Sequence, residues 1–550
     1  MRIRRGQVFR SRFSAAFGAG STKEELGPYN PACPAPLRAT NVRAPPPPYP
    51  DLVPRNTGHG REKTKMVRSS EGYLWEAASG SVVGLETDAV TPSTPQIQEH
   101  YDVVVVGAGF AGLVAARELS ADGRLKVLLV DGRDRIGGRT WTAKALGEHF
   151  EMGGTWVHWM QPFVYGEIVR YDLQRHLKTS SGAFATERLF RSSSGSITTM
   201  PAKDQDSAMR RIADKFFCID GLSSRELIPY PLDILRQPAP WTKYDHLTVR
   251  ERLDQVDGES QQDKDVFEAF LSTFGGVSGR ELAWTEALRW FALGGHDMDR
   301  VVEFAGIYKL GGGGMTMLAK SILNDYSGDV LMGTTIHKIV QDGLRVILTS
   351  TNGREIRADR AVCTIPLNAL PSIHFDPPLD PTRQEAIQKG HVCSVTKFHV
   401  KLASVEPPFY SAADAHSGSC YCFAFSDHNG AEGGGTYAIG FGYGGRLNNH
   451  KDRGGIIAEF EEHMRPGAKV CAYLTHDWAA DPLSNGSWAC WGPGDMSKYL
   501  SALQQPHGQV AMANADWANG FRGFIDGAIE QGYLAARHVR HSLRASKSKI

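Results

Sequence analysis

Residues 101–113 read YDVVVVGAGFAGL, an unbroken apolar run from Val103 to Val106 followed at once by Gly107, Gly109 and Gly112. An apolar run without alternation predicts a strand buried on both faces, as in a parallel sheet. A second such run, KVLLVD, closes on Asp131. Between residues 202 and 300 the pattern changes. DVFEAFLSTFGG and ELAWTEALRWFALGG space their apolar residues three and four apart, which predicts helices. From Lys309 the text KLGGGGMTMLAKSIL predicts a helix, and VLMGTTIHKIV, GLRVILTS and REIRADRAVCTIPL predict short strands. Residues 391–480 alternate strands, such as VTKFHV and YAIGFG, with loops. The segment QVAMANADWANGFRGFIDGAIEQGYLAARHV predicts a strand, a loop and a long helix. The class is α/β, with no internal repeat.

The glycines turn this pattern into chemistry. Strand, glycine turn, helix, strand and terminal acid is the order of a βαβ unit that holds a dinucleotide. The pyrophosphate is expected at the N-terminus of the helix beginning near Gly109, and the Asp131 carboxylate on the adenosine ribose.

The chain has 550 residues, too many for one ordinary core, so two or three domains are expected. Residues 1–65 differ from the rest. They open basic and without acids, like a presequence, and continue into the proline run Pro45 to Pro48. A disordered or non-native extension is expected there, with Met66 as an alternative start, followed by an extended arm over 66–100. A dinucleotide-binding domain is expected from 101–180, 306–390 and 476–540, a substrate domain from 181–305 and 391–475, and a polar tail over 541–550. A formal charge of +1 suggests no nucleic-acid partner, and no apolar run is long enough to span a membrane. The eight cysteines match no zinc framework, so no metal site is expected. The final Ser548, Lys549 and Ile550 stand one conservative change from a peroxisomal address, leaving peroxisome or cytoplasm as the expected location.

Taken together, YDVVVVGAGFAGL, DRIGGRTWT, EMGGTWVHW, FLSTFGG, CTIPLN and ANADWANGFRGFIDGAIE resemble the flavin-containing monoamine oxidase family, most closely its soluble fungal members, over roughly residues 71–540. The resemblance implies a Rossmann-like FAD-binding domain of the glutathione-reductase type and a substrate domain of mixed sheet and helices. It implies that Gly107, Gly109 and Gly112 approach the pyrophosphate and that Arg139 faces it with a forked donor. It extends cofactor contacts to Asp131, Arg133, Gly153, Gly154, Thr155 and Trp156. At the other end it places Trp517, Gly523, Ile525 and Asp526 near the flavin.

For the reaction, the resemblance singles out Lys309 in IYKLGGGG as the lysine bonded to a water at flavin N5. Trp488 and Phe524 match two rings that cage the amine, an apolar slot that favours its uncharged form. Ser487 stands where the membrane-bound relatives carry the cysteine that attaches FAD. A serine forms no such thioether, so FAD is expected to bind noncovalently. His158 has three open readings: a flavin contact, a cavity residue or a packed histidine. The implied reaction is oxidative deamination of a primary amine by O2 to an aldehyde or ketone, ammonia and H2O2. The alternatives are an L-amino-acid oxidase, a polyamine oxidase or a noncatalytic flavin-bound interaction protein. A homodimer is the assembly the resemblance implies.

Overall fold

The computed structural model describes residues 67–343, 345–444, 446–447 and 452–547. The extension expected over 1–65, Met66 and the Ser-Lys-Ile terminus lie outside the described residues.

The valine run forms the strand His100–Val106, with Val103, Val104 and Val105 fully buried. Its neighbours are Val127–Val130 on one side and Glu355–Cys363 on the other, both parallel to it. Asp329–Leu331 and Val510–Met512 extend the parallel part, and three further strands complete an eight-stranded sheet. The helix Phe110–Ser120 leaves the first strand through the glycine turn. A Cβ at Gly112 would lie 1.8 Å from the Gly107 carbonyl oxygen, so only glycine lets this helix sit on its own turn. The helix Ile525–Lys547 packs across it, and a Cβ at Gly532 would come within 2.6 Å of the Ala111 oxygen. This helix continues through residues 541–547, into the stretch expected as a polar tail. Its apolar residues Val539 and Leu543 are buried, so packing extends the helix into that text.

The second sheet has nine strands. Its centre runs Val470–His476, Thr396–Leu402, Thr436–Gly442, Tyr421–Asn429, Tyr410–Ala413 and Glu187–Arg191. One edge is the hairpin Tyr73–Glu76 and Gly80–Val83, which pairs with Val470–His476. The expected arm over 66–100 is therefore part of this sheet for about a third of its length. Gln261–Gly275 packs over the strands Tyr410–Ala413 and Tyr421–Asn429. Ser260 caps that helix, and Gly276 ends it in the left-handed conformation.

One buried charge cluster ties the helical part to the C-terminal segment. Glu286, on Trp284–Leu293, accepts from Arg289 at 2.7 Å and from Arg522 at 2.6 Å, and all three side chains are fully buried. Arg289 also donates to the Gly520 oxygen at 2.8 Å. The two guanidiniums hold Glu286 below the usual carboxylate range against the opposing effect of burial. Removing the acid strands two buried cations. Glu286→Ala is expected to cost roughly 3–5 kcal/mol of stability, read as a lower urea midpoint at unchanged slope. Glu286→Gln should lose less.

Candidate active site

A single cavity reaches from the glycine turn to the substrate sheet. Gly107, Gly109 and Asp131 line one end, Gly153 to Trp156 the middle, and Trp488 and Phe524 the far part. Gly109 bridges to Gly137, and a Cβ at Gly138 would lie 3.1 Å from Gly109 Cα, so two glycine loops abut here. Gly109 itself is different. A Cβ there would meet nothing closer than Gly138 Cα at 3.8 Å. Protein packing does not demand this glycine, whereas a ligand lying on the bare backbone does. It sits at the N-terminus of Phe110–Ser120, whose first amides have no partner within the helix. Asp131 closes the next strand and accepts from Ala108 N (2.6 Å) and Arg133 N (2.7 Å). Burial pushes its carboxyl up, and these two amides oppose that. Exposed backbone, free helix amides and an acid at the next strand end fit the phosphates and ribose of a dinucleotide. Gly112 does not reach this cavity. Its place is the helix–turn contact described above, which corrects the expectation that it meets the pyrophosphate.

Two arginines of the same loop line the cavity with their side chains already engaged. Arg139 donates to the Ser487 oxygen (2.5 Å), Asn514 Oδ1 (2.9 Å) and Asp516 Oδ1 (2.7 Å). The fork expected on a phosphate thus clamps the C-terminal segments. Arg133 is bound by Glu71, by Asp481 at 2.8 Å and by Ser484 at 3.1 Å.

The two expected cage rings face this cavity. Trp488 donates to the Phe274 oxygen at 2.7 Å and lies 4.9 Å from the Phe441 ring. Phe524 stands against Phe304 and Phe521, each at 5.4–5.8 Å between ring centres within that trio. Gly523, at φ +81°, brings the segments together: a Cβ there would lie 2.6 Å from the oxygen of Ala489, the neighbour of Trp488. Ile525 also lines the cavity.

Three expected residues stand elsewhere. Trp517 is fully buried in the apolar core and does not line the cavity. Asp526 accepts from Phe163 N (2.7 Å) and Val164 N (2.8 Å), capping the helix Pro162–Arg170, and burial raises its carboxyl to about 7. Lys309 is the larger correction. Its strand, Tyr308–Leu310, pairs with Leu177–Thr179, and its ammonium is held by both oxygens of the buried Asp427. The lysine on the cavity is Lys397, in Thr396–Leu402. Its Nζ donates to the Gly153 oxygen at 2.7 Å and to Thr155 Oγ1, and stands 5.4 Å from the Trp156 ring centre. Burial and the charge of Lys309 push it down to about 7, with Glu151 opposing. The readable signal was a lysine inside the apolar strand text VTKFHV, with His399 two residues on and therefore on the same face. His158 is a packed histidine. Its ring lies 3.8 Å from that of Trp159, and it does not line the cavity.

Ser487 lines the cavity beside Trp488. Its Oγ lies 3.1 Å from Cys393 Sγ and accepts from Val395 N at 3.2 Å. Burial raises the Cys393 thiol to about 11 and Cys490 well above its usual range. Neither thiol lines the cavity.

Comparison with known proteins agrees with this geometry. The family model of flavin containing amine oxidoreductases matches residues 110–540. The chain belongs to that family. It is 31% identical to a pseudooxynicotine dehydrogenase of Pseudomonas sp over 86% of this chain and 92% of the relative. It is 30% identical to a nicotine dehydrogenase of Pseudomonas putida over 80% and 89%. Among solved structures, a putrescine oxidase superposes with a TM-score of 0.67 at 20% identity, covering 80% of this chain and 99% of that one. Cyclohexylamine oxidase from Brevibacterium oxydans gives 0.63 at 19% identity, covering 81% and 99%. The two dehydrogenases are from Pseudomonas, and nothing in these relatives supports the fungal affinity expected from the motifs. The family's flavin accounts for the glycine-lined end of the cavity. No helix among the described residues is long and apolar enough to cross a membrane.

The glycines give a test that separates flavin binding from folding. As flavin-free protein, Gly109→Ala should melt where the flavin-free wild type does, yet it should bind added flavin at least about tenfold more weakly. Gly112→Ala should lower the melting point of the flavin-free protein as well. Flavin titration and thermal unfolding of the same flavin-stripped preparations check both.

Proposed function

We propose that this protein is an FAD-dependent oxidase of hydrophobic primary amines, aliphatic or arylalkyl. One observation carries the reading: the glycine-lined end and the Trp488–Phe524 end belong to one cavity, whose far part is walled by aromatic rings. The net change would be R-CH2-NH2 + O2 + H2O → R-CHO + NH3 + H2O2. FAD, when bound, supplies the acceptor for the hydride equivalent leaving the carbon next to nitrogen. The chain's own task is to position and desolvate. Trp488 and Phe524 would hold the amine in a slot that disfavours an ammonium. Trp156 and Phe441 would keep water from the apolar part of the substrate.

Lys397, rather than Lys309, is the residue proposed to hold a water at the reacting end. It faces the cavity, while Lys309 serves as the partner of Asp427. Carboxylates are scarce: among the described lining residues only Asp131 has one, and it stands at the nucleotide end. A second ammonium in the substrate would find no partner, which argues against a polyamine. Nor does a free cation stand beside the cage for an α-carboxylate, since Lys397 is held by Gly153 and Thr155.

A second reading concerns the electron acceptor. Two relatives are named dehydrogenases, so an acceptor other than O2 would suit the same site. Peroxide release in air, set against reduction of an artificial acceptor under nitrogen, separates the two. Fast turnover with the dye and negligible peroxide in air would remove O2 from the proposal.

Lys397 carries a pH signature. It is charged below about 7 and neutral above, and only a neutral amine fits the slot. The plot of kcat/KM against pH should therefore rise through a group near neutrality. Lys397→Met should erase that inflection and lower turnover roughly tenfold or more, whereas Lys309→Met should keep an inflection but move it to higher pH, since the Lys309 charge no longer pushes Lys397 down. Flavin attachment is checked separately. With Ser487 beside Trp488 and the nearby thiols buried and protonated, acid precipitation should leave the flavin in the supernatant, not in the protein pellet.

A further inference from the structure

The floor of the cavity is one face of the nine-stranded sheet, and its register gives it a direction. Lys397 pairs with Phe441, Phe441 with Phe423, Phe423 with Ala412, and Ala412 with Phe190. That row crosses four strand spacings, about 19 Å between Cα atoms. Arg188 lies two residues from Phe190 on the same strand and so on the same face. All six residues line the cavity. Between the ends lie near-parallel rings. Phe423 and Phe425 are 5.7 Å apart at 14°, and Tyr410 and Phe423 are 6.1 Å apart at 16°.

The end remote from Lys397 is made of donors. Arg188 donates through Nη1 to Gln205 Oε1 (3.1 Å) and Asp206 Oδ1 (2.6 Å). Among the described residues nothing accepts from its Nε or Nη2, or from Nε2 of Gln205. Gln205 is 7% exposed and lines the cavity, and its amide nitrogen has no protein partner among the described residues. The Tyr410 ring lies under Arg188, 5.8 Å from Cζ to ring centre. Asp206 balances the guanidinium charge and does not line the cavity. The remote end thus offers hydrogen-bond donors with little net charge. A cationic group would meet only donors there. An anion would gain little Coulomb attraction for its desolvation. An uncharged acceptor fits both conditions.

We infer that the cavity selects long, flat or apolar amines carrying an uncharged hydrogen-bond acceptor, such as a carbonyl oxygen, at the end remote from the nitrogen, and that Arg188 and Gln205 read this group. The inference rests on the amine-oxidation reading for the orientation of the substrate. The Arg188–Asp206 pair alone would serve only to join the strand to the helix Ala202–Phe216. The test must therefore separate recognition from structure.

The matched probes are undecylamine, 11-aminoundecanamide and 11-aminoundecanoate, given to the FAD-loaded wild type, Arg188→Met and Gln205→Met. Two readouts are taken: Kd and the limiting rate from anaerobic flavin reduction, with Kd from the flavin spectral perturbation for any probe that does not reduce it, and KM from turnover with an electron acceptor supplied. Gln205→Met leaves the Arg188–Asp206 pair intact and covers the case in which Arg188→Met folds poorly. The amide should bind wild type more tightly than either other probe. In both variants its advantage over undecylamine should fall about tenfold or more, in Kd and KM and not in the limiting rate. Equal preference in wild type and variants overturns the inference, as does a wild type that prefers undecylamine. If no probe reduces the flavin, the oxidation reading fails, and the Kd comparison still decides the remote site by the same two criteria.

Discussion

Asp516 is the residue on which the site's geometry turns. It is fully buried, receives Arg139 at 2.7 Å through one carboxylate oxygen and accepts from Leu367 N at 2.9 Å through the other. Arg139 also binds the Ser487 oxygen. One carboxylate therefore joins the glycine-loop segment, the segment after the strand Glu355–Cys363 and the C-terminal segment, and Arg139 adds the segment carrying Trp488. Arg139 and Asp516, the two ends of this node, lie 377 residues apart. A buried charge left without its partner is costly, so the node holds only if all arrive together. The nucleotide loop and the Trp488–Phe524 rings thereby become one site.

The chemistry follows from what surrounds that node. At one end the chain presents bare backbone and helix amides, suited to phosphates. At the other it presents rings, suited to an uncharged amine. Lys397 stands between, with its ammonium weakened by burial and by Lys309. The flavin performs the redox step in this family. On the proposed reading, the protein decides which amine arrives, in which protonation state and in what orientation.

Much of the nucleotide end was legible in the sequence because its logic is local. A valine strand, three glycines and Asp131 are fixed by spacing along some thirty residues. Trp488 and Phe524 could be placed through their motifs, and both line the cavity. Lys309 and Lys397 could not be told apart that way. Each is a lysine in short strand text, and only the pairing of sheets shows that one meets Asp427 and the other the cavity. Asp526 misled for a similar reason. An acid in the first turn of a helix reads as a ligand for something nearby, but here it caps a different helix more than 350 residues earlier in the chain. The hairpin at Tyr73–Val83 reads in the sequence only as an extended arm, because its partner strand lies near residue 473. Gly112 shows the same limit at close range, since a spacing of glycines does not say which of them meets a ligand and which meets a carbonyl.

The account's central claim is that an apolar, carboxylate-free slot beside the flavin admits a single uncharged amine. Anaerobic mixing of the FAD-loaded protein with undecylamine and, separately, with 1,11-diaminoundecane tests it directly, followed by loss of oxidised-flavin absorbance. The account predicts rapid bleaching by the monoamine and at least about tenfold slower bleaching by the diamine, whose second ammonium has no partner in the cavity. Bleaching by the diamine at the same rate or faster, or no bleaching by either amine, would contradict it.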